Sequence, residues 1–334
     1  MTERIKMSHG SGGRLMHRLI ADVFMPRFGA GAGVVMEDAA LLALDAKRYA
    51  FTTDSFVVKP LFFPGGDIGK LAVCGTVNDL AARGARPEFL SVSMVIEEGL
   101  PIETLERIVD SMAEAASEAG VRIVTGDTKV VERGSADGLF INTTGLGRIP
   151  EGVDVSAAKA RPGDRVILTG SVADHGVAVM QAREDLGLSG RLESDCASLG
   201  GLVEAALKAA PAVHVLRDPT RGGLATTLVE IADASRVRIV IDESRVLVRQ
   251  PVRTACEMLG LDPLYVPNEG KMVAIVPGPV AEQFLAAVRN HPLGREAAVI
   301  GDVEPGDPSV TLKTLVGGRR KLIMLEGDPL PRIC

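Results

Sequence analysis

The 334-residue chain has no Trp, two Tyr and nine Phe, too few rings to build a stacking platform for exposed bases. Positive charge is also short. Thirty-seven Lys and Arg stand against 43 Asp and Glu, a formal charge of -6 that offers a phosphate backbone no general attraction. Nucleic acid is therefore not an expected partner. No uncharged run approaches the roughly 18 to 20 residues of a membrane span, and the opening MTERIKMSHGSGG carries charges where a secretory signal needs an apolar stretch. A cytoplasmic protein without membrane attachment is the expectation. Cys74, Cys196, Cys256 and Cys334 lie far apart with no C-x-x-C pair, which argues against a disulfide framework or a Cys-rich zinc site. The first three read as small buried hydrophobes, and the fourth is the last residue.

The length suits about two domains, each able to bury its own core. Helical spacing is legible from Arg14 to Phe28, from about Asp67 to Arg83 and from Ile102 to Ala119, where Gly120 is a suitable stop. Strand-like runs at Ala39 to Leu44 and Tyr49 to Thr53 predict a hairpin, and further runs at Phe89 to Ile96, Val121 to Thr125 and Leu139 to Gly145 complete a mixed sheet with helices on one face. The polar, Pro-containing stretch from Pro150 to Asp164 interrupts this periodicity and marks a boundary. Beyond it, helical patterns near 176–184, 198–209, 224–234 and 280–290 interleave with strand-like runs near 166–169, 237–241, 272–276, 298–303 and 310–315, an α+β or α/β pattern. The division is residues 1–150, 151–325 and a tail, 326–334, whose EGDPLPRIC contains two prolines and predicts an extended, mobile end.

No G-x-x-x-x-G-K-[ST] occurs, and the glycines at 29–33 follow no predicted strand, so P-loop and Rossmann readings fail. What stands out is Asp at the ends of predicted elements: Asp38 in MEDAAL, Asp54 in TTDSF, Asp79 in VNDLAARGA and Asp127 in TGDTK. Converging carboxylates suit a hard cation that shares its ligands with substrate phosphates. Caps and turns are the equally simple alternative. The string from His9 to Gly13 precedes a helix whose free N–H groups suit an anion, and DPTRGG, Asp218 to Gly223, opens another with Arg221 at hand.

In this order, SHGSGG, TTDSFVVKPLFFPGGDIGKLAVCGTVNDLAARGA, IVTGDTKVVERG, LRDPTRGG, NEGK (Asn268 to Lys271) and the terminal PRIC resemble the PurM-like, AIR synthase-related ATP-binding superfamily. Within it they are similar to the hydrogenase maturation factors that make the cyanide ligand of the NiFe centre, over essentially the whole chain. The resemblance implies a two-domain PurM-like α+β fold, with a mixed-sheet N-terminal domain and an α/β C-terminal domain, and a nucleotide site built across a homodimer. It implies Mg²⁺ on Asp38, Asp54, Asp79 and Asp127. It implies ATP contacts from His9, Gly10, Gly12, Gly13, Asp54, Asn78, Gly126, Asn142, Thr143 and Arg221, with Asp67 left outside the ligand set.

The implied reaction is ATP-dependent dehydration of a carbamoyl group, carried as a thiocarboxamide on Cys334, to a thiocyanate. The resemblance makes Lys129, Glu269 and Lys271 the acid, base and electrostatic candidates, with Glu269 preferred as proton acceptor; on their own they would read as surface ion pairs. It implies the carbamoyltransferase HypF as donor and a HypC–HypD complex as acceptor. His9, His17, His175, His214 and His291 form no Cys/His pair in sequence, and solvated or capping roles are expected for most. Two other readings stay open: a different PurM-like synthetase, such as selenophosphate synthetase, and a non-catalytic carrier switched by nucleotide. Against the first, no Cys precedes residue 74.

Overall fold

A computed structural model describes residues 13–19, 40–44, 47–183, 192–327 and 330–334. His9, Gly10, Gly12 and Asp38 lie outside the described residues, as does the helix expected beyond residue 19. In the first domain α1 (Arg14–Leu19) is followed by β1 (Ala40–Leu44), β2 (Lys47–Phe56), the short pair β3 (Phe62–Phe63) and β4 (Gly66–Asp67), α2 (Ile68–Ala82), β5 (Arg86–Glu97), α3 (Ile102–Ala119), β6 (Arg122–Val131) and β7 (Leu139–Arg148). The sheet runs β1-β2-β7-β5-β6, with β5–β6 as its one parallel pairing among the described strands.

Alternation along β7 shows how this sheet is used. Leu139, Ile141 and Thr143 are buried, while Phe140, Asn142 and Thr144 are half-exposed, the period of two expected of a sheet covered on one face. The covering layer is α2 and α3. Asp67 starts α2 as its N-cap, its carboxylate accepting from the Gly69 and Lys70 amides, which gives it a structural role of its own. Helix α2 is buried on almost every side, as a helix that is apolar all round must be. One side meets α3 and the first sheet; the other meets α5 (Gly200–Ala209) of the second domain. Ala50, Leu80 and Ala81 accordingly share one core cluster with Leu202, Leu207 and Phe284.

The second domain comprises β8 (Asp164–Leu168), α4 (Asp174–Arg183), α5, β9 (Val215–Arg217), α6 (Gly223–Ser235), β10 (Arg238–Asp242), α7 (Gln250–Leu259), β11 (Val273–Pro277), α8 (Ala281–Arg289), β12 (Ala298–Glu304), β13 (Ser309–Lys313) and β14 (Arg319–Leu322). Its sheet order is β14-β13-β10-β12-β8-β11-β9, antiparallel except for β10–β13. Among the described strands this makes the domain α+β rather than α/β. Helix α7 was passed over although Val252, Ala255 and Cys256 recur at helical spacing and are buried, whereas β9 and β14, three and four residues long, hold too few positions to show a pattern.

Two expectations need correction. Asp127 is not at an element end: TGDTK continues β6 out to Val131. The tail is not held off the body either. Leu330 and Ile333 are buried in a core cluster that joins first-domain residues such as Phe56 and Leu71 to Val177 and Val252 of the second, Val57 N–H donates to Cys334 O at 3.2 Å and Lys59 N–H to Arg332 O at 3.2 Å. The prolines prevent helix there but do not prevent strand-like docking, and two apolar side chains supply the driving force.

Candidate active site

The NEGK segment is fixed by buried polar contacts rather than by regular structure. Asn268 accepts from Ala173 N–H at 2.8 Å and donates to the Pro219 and Val266 carbonyls, which ties the segment to the turn before α6. The Asp195 carboxylate accepts from the backbone N–H of Glu269 (3.1 Å) and Gly270 (3.2 Å) and from Lys271 Nζ (3.0 Å). Gly270 must be glycine here, because a Cβ would sit 1.8 Å from Asp195 O. Asp195 lies in a polar loop without periodicity, and sequence reasoning passed over it.

These contacts place Glu269 in the interior, 3% exposed. Burial pushes its pKa well above the usual carboxylate value, and the charges of Asp218, Asp54 and Asp195 push it further, against the pull of Arg221. Asp218 is raised to about 6, chiefly by burial. Asp54 is raised for the same reason, while Arg221 and the Ser55 N–H (2.7 Å) work the other way. Arg221 precedes α6 on a turn whose Gly222 and Gly223 have φ of +79° and +61°, a conformation that favours glycine. A Cβ on Gly223 would meet the Leu264 and Val266 carbonyls. The guanidinium is held protonated first by negative charge at Cys334, then by Asp54, Glu269 and Asp79. Arg221 thus lies within electrostatic reach of the chain's terminal residue, a buried protonatable carboxyl and two further carboxylates. Such a grouping can neutralise a phosphoryl oxygen and accept a proton.

Asp79, on α2, accepts from Thr52 Oγ1 at 2.8 Å, and Thr52 lies two residues before Asp54 on β2. Asp127 does not join them. Sheet register pairs Asp54 with Thr143, whose buried side chain faces α2, whereas Ser55, Asn142, Ser93 and Asp127 form the next row, on the opposite face. Asp127 and Lys129 are exposed and 3.4 Å apart. Among the described residues no group of three or more His, Cys, Asp or Glu is placed to hold a metal ion. Among the described residues, Asp127 therefore does not share a site with Asp54 and Asp79 within one chain.

Other assignments also shift. Asn78 is 1% exposed and bonds the Ala197 and Glu269 carbonyls and the Leu199 N–H, so it braces α2 against the loop bearing Glu269. Thr143 is stitched to Thr76 and to Ala72 O. Asn142 donates to Asp54 O at 2.8 Å on the half-exposed face. Gly126 lets β6 approach β5, where a Cβ would meet Val92 O at 2.6 Å. Gly13 is packed on Leu325 O, the root of the tail. Lys271 is a buried partner of Asp195, not a surface ion pair. His291 caps a short turn and His17 and His214 face carboxylates, but His175 is buried in the core. Cys74, Cys196 and Cys256 are buried free thiols. No described helix is long and apolar enough to cross a membrane.

Comparison with known proteins matches residues 36–149 to the AIR synthase related protein N-terminal domain and residues 161–313 to the corresponding C-terminal domain. The chain is 52% identical over 331 residues to the carbamoyl dehydratase HypE of Azotobacter vinelandii, covering 99% of this chain and 97% of that one. Among solved structures, a HypE–HypF complex matches with a TM-score of 0.87 at 50% identity, over 94% of this chain and 100% of that one. HypE in complex with ATP matches with a TM-score of 0.84 at 49% identity, over 99% and 100%.

Proposed function

The chain belongs to the AIR synthase related protein family and, within it, to the HypE carbamoyl dehydratases, and on that premise we propose how its own residues divide the work. The chain is an ATP-dependent carbamoyl dehydratase of hydrogenase maturation. It converts a thiocarboxamide on Cys334 to a thiocyanate, the source of the cyanide ligand of the NiFe iron. An amide oxygen is a poor leaving group. Its attack on the γ-phosphorus of ATP expels ADP and leaves an iminophosphate. Departure of phosphate as nitrogen loses its protons then gives the C≡N bond. Thiocarboxamide and ATP become thiocyanate, ADP and phosphate.

The observation that carries the assignment is the docked tail: Val57 N–H, three residues beyond Asp54, donates to Cys334 O at 3.2 Å, and negative charge at Cys334 acts on Arg221 together with that of Asp54 and Glu269. Cys334 is the carrier, Glu269 the proton acceptor and Arg221 the neutraliser of phosphoryl charge. Lys271 orders the Glu269 segment through Asp195 and does not touch the substrate. His9, Gly10, Gly12 and Gly13 receive the phosphates. Mg²⁺ commonly takes one or two carboxylates besides phosphate oxygens and water, which fits Asp54 and Asp79 without Asp127. When bound it neutralises charge on the transferring phosphoryl group.

Every residue of β6 from Arg122 to Val130 is exposed, Ile123, Val124 and Val130 among them, an edge and face that a second copy would cover. In that homodimer Asp127 and Lys129 serve the site of the other copy. Donor and acceptor are HypF and a HypC–HypD complex, and the setting is the cytoplasm. The selenophosphate synthetase and carrier readings have no comparable support.

Intact-mass measurement after incubation with the carbamoyl donor system should show gain of one carbamoyl group, then ATP-dependent loss of one water. Cys334→Ala should abolish both while still binding ATP. An adduct on that variant that goes on to dehydrate would place the carrier elsewhere.

A further inference from the structure

Cys334 needs a defined seat for dehydration, and both ends of α4 lie along the tail. At its start the His175 ring, 0% exposed, has Nε2 3.0 Å from Ile333 O and Nδ1 2.8 Å from Ser194 Oγ. At its end the Arg183 guanidinium donates to the Pro331 (2.9 Å) and Arg332 (2.7 Å) carbonyls and to Lys59 O. The Ile333 carbonyl can only accept, so Nε2 carries the proton and Nδ1 accepts from the Ser194 hydroxyl. Burial favours this neutral form. Ser194 Oγ in turn accepts the Cys196 N–H at 3.0 Å. The ring also meets Phe63 edge-on, centroids 5.4 Å apart.

Ser194 adjoins Asp195, whose carboxylate holds the Glu269 and Gly270 amides. Two consecutive residues therefore fix both reacting parties, the tail through His175 and the Glu269 segment directly. We propose that His175 is a positioning residue for dehydration, its Nε2–H setting the register of Ile333 so that the Cys334 sulfur is seated in the Arg221–Glu269 site. It takes no part in the bond changes and is not needed when the tail is presented to the carbamoyl donor. This inference rests on the dehydratase reading.

His175→Phe keeps the ring and removes the donor, whereas His175→Gln keeps a side-chain N–H. Three rates separate the roles: carbamoylation of Cys334, single-turnover dehydration of the carbamoylated chain with ATP, and alkylation of Cys334 by iodoacetamide read by intact mass, the other three thiols being buried. His175→Phe should carbamoylate within about twofold of wild type, dehydrate about tenfold more slowly, as loss of one buried hydrogen bond implies, and alkylate several-fold faster; His175→Gln should recover much of both changes. Wild-type alkylation and dehydration in His175→Phe would overturn the proposal. So would a parallel loss of both half-reactions that His175→Gln does not relieve. If His175→Phe does not fold, Ser194→Ala, which frees the tautomer, must slow dehydration but not carbamoylation, and equal effects on both overturn the proposal. Should wild type itself fail to dehydrate, the dehydratase reading falls, while the alkylation rates still decide whether His175 seats the tail.

Discussion

Asp195 and Lys271 form a buried ion pair at 3.0 Å, with side chains 3% and 10% exposed. Burial alone would raise the Asp195 pKa, but the Lys271 charge and the Glu269 N–H work against it, and the carboxylate is held below its ordinary value. Removing one member strands the other charge, a loss typically of about 3–5 kcal/mol. Asp195→Asn and Lys271→Met should therefore each lower unfolding free energy by roughly that amount, while the double variant Asp195→Asn, Lys271→Met should lose much less than their sum. Chemical denaturation of the four proteins gives the coupling directly. Additive losses would mean that the pair is not coupled.

The pH dependence of dehydration should carry the signature of Glu269. Its raised pKa leaves the carboxyl protonated at pH values where an ordinary Glu is ionised, and only the ionised form can take a proton. The single-turnover rate on pre-carbamoylated protein should thus rise with pH through an apparent pKa well above 4.5, a value shared with Asp218 and Asp54. Glu269→Gln should lower the rate by 100-fold or so and flatten that limb, a usual size for loss of a general base. A steep limb that survives the substitution would assign the base elsewhere.

Placement of Asp127 and Asp54 on opposite faces of one sheet sets up a complementation test. If each ATP site takes Asp54 from one copy and Asp127 from the other, Asp54→Asn and Asp127→Asn homodimers are both impaired. Refolded together in equal amounts, half the molecules are mixed dimers with one intact site each, so about a quarter of wild-type turnover should return. Asp79→Asn mixed with Asp54→Asn also returns activity if Asp79 and Asp54 come from different copies, but none if they share one, as their common face on β2 and α2 implies. ATP hydrolysis in the mixtures reads this out.

Asp67 offers a purely structural contrast. As the N-cap of α2 it satisfies two amide groups, and Asp67→Ala should cost about 1 kcal/mol, up to about 2. Urea titration should show that loss while the affinity for ATP stays within twofold. A large drop in affinity would bring Asp67 into the ligand set.

The sequence by itself determined most of the elements and the family. Apolar spacing placed α3 at its observed ends, because an amphipathic surface helix writes its period into the chain and Gly120 stops it in the left-handed conformation. The ordered strings from SHGSGG to PRIC identified the chemistry, because phosphate and carbamoyl chemistry requires particular side chains. Only the tertiary structure decided which of those side chains meet. Whether Asp127 joins Asp54 depends on strand register, where a shift of one residue changes the face. Asn78 turned out to brace α2 and Lys271 to be paired in the interior. His175 and Asp195 became visible as supports of the site only once α4, the 194–195 loop and the tail were packed together. Such roles are set by hydrogen bonds between residues up to 191 positions apart, and no local pattern encodes a partner that distant.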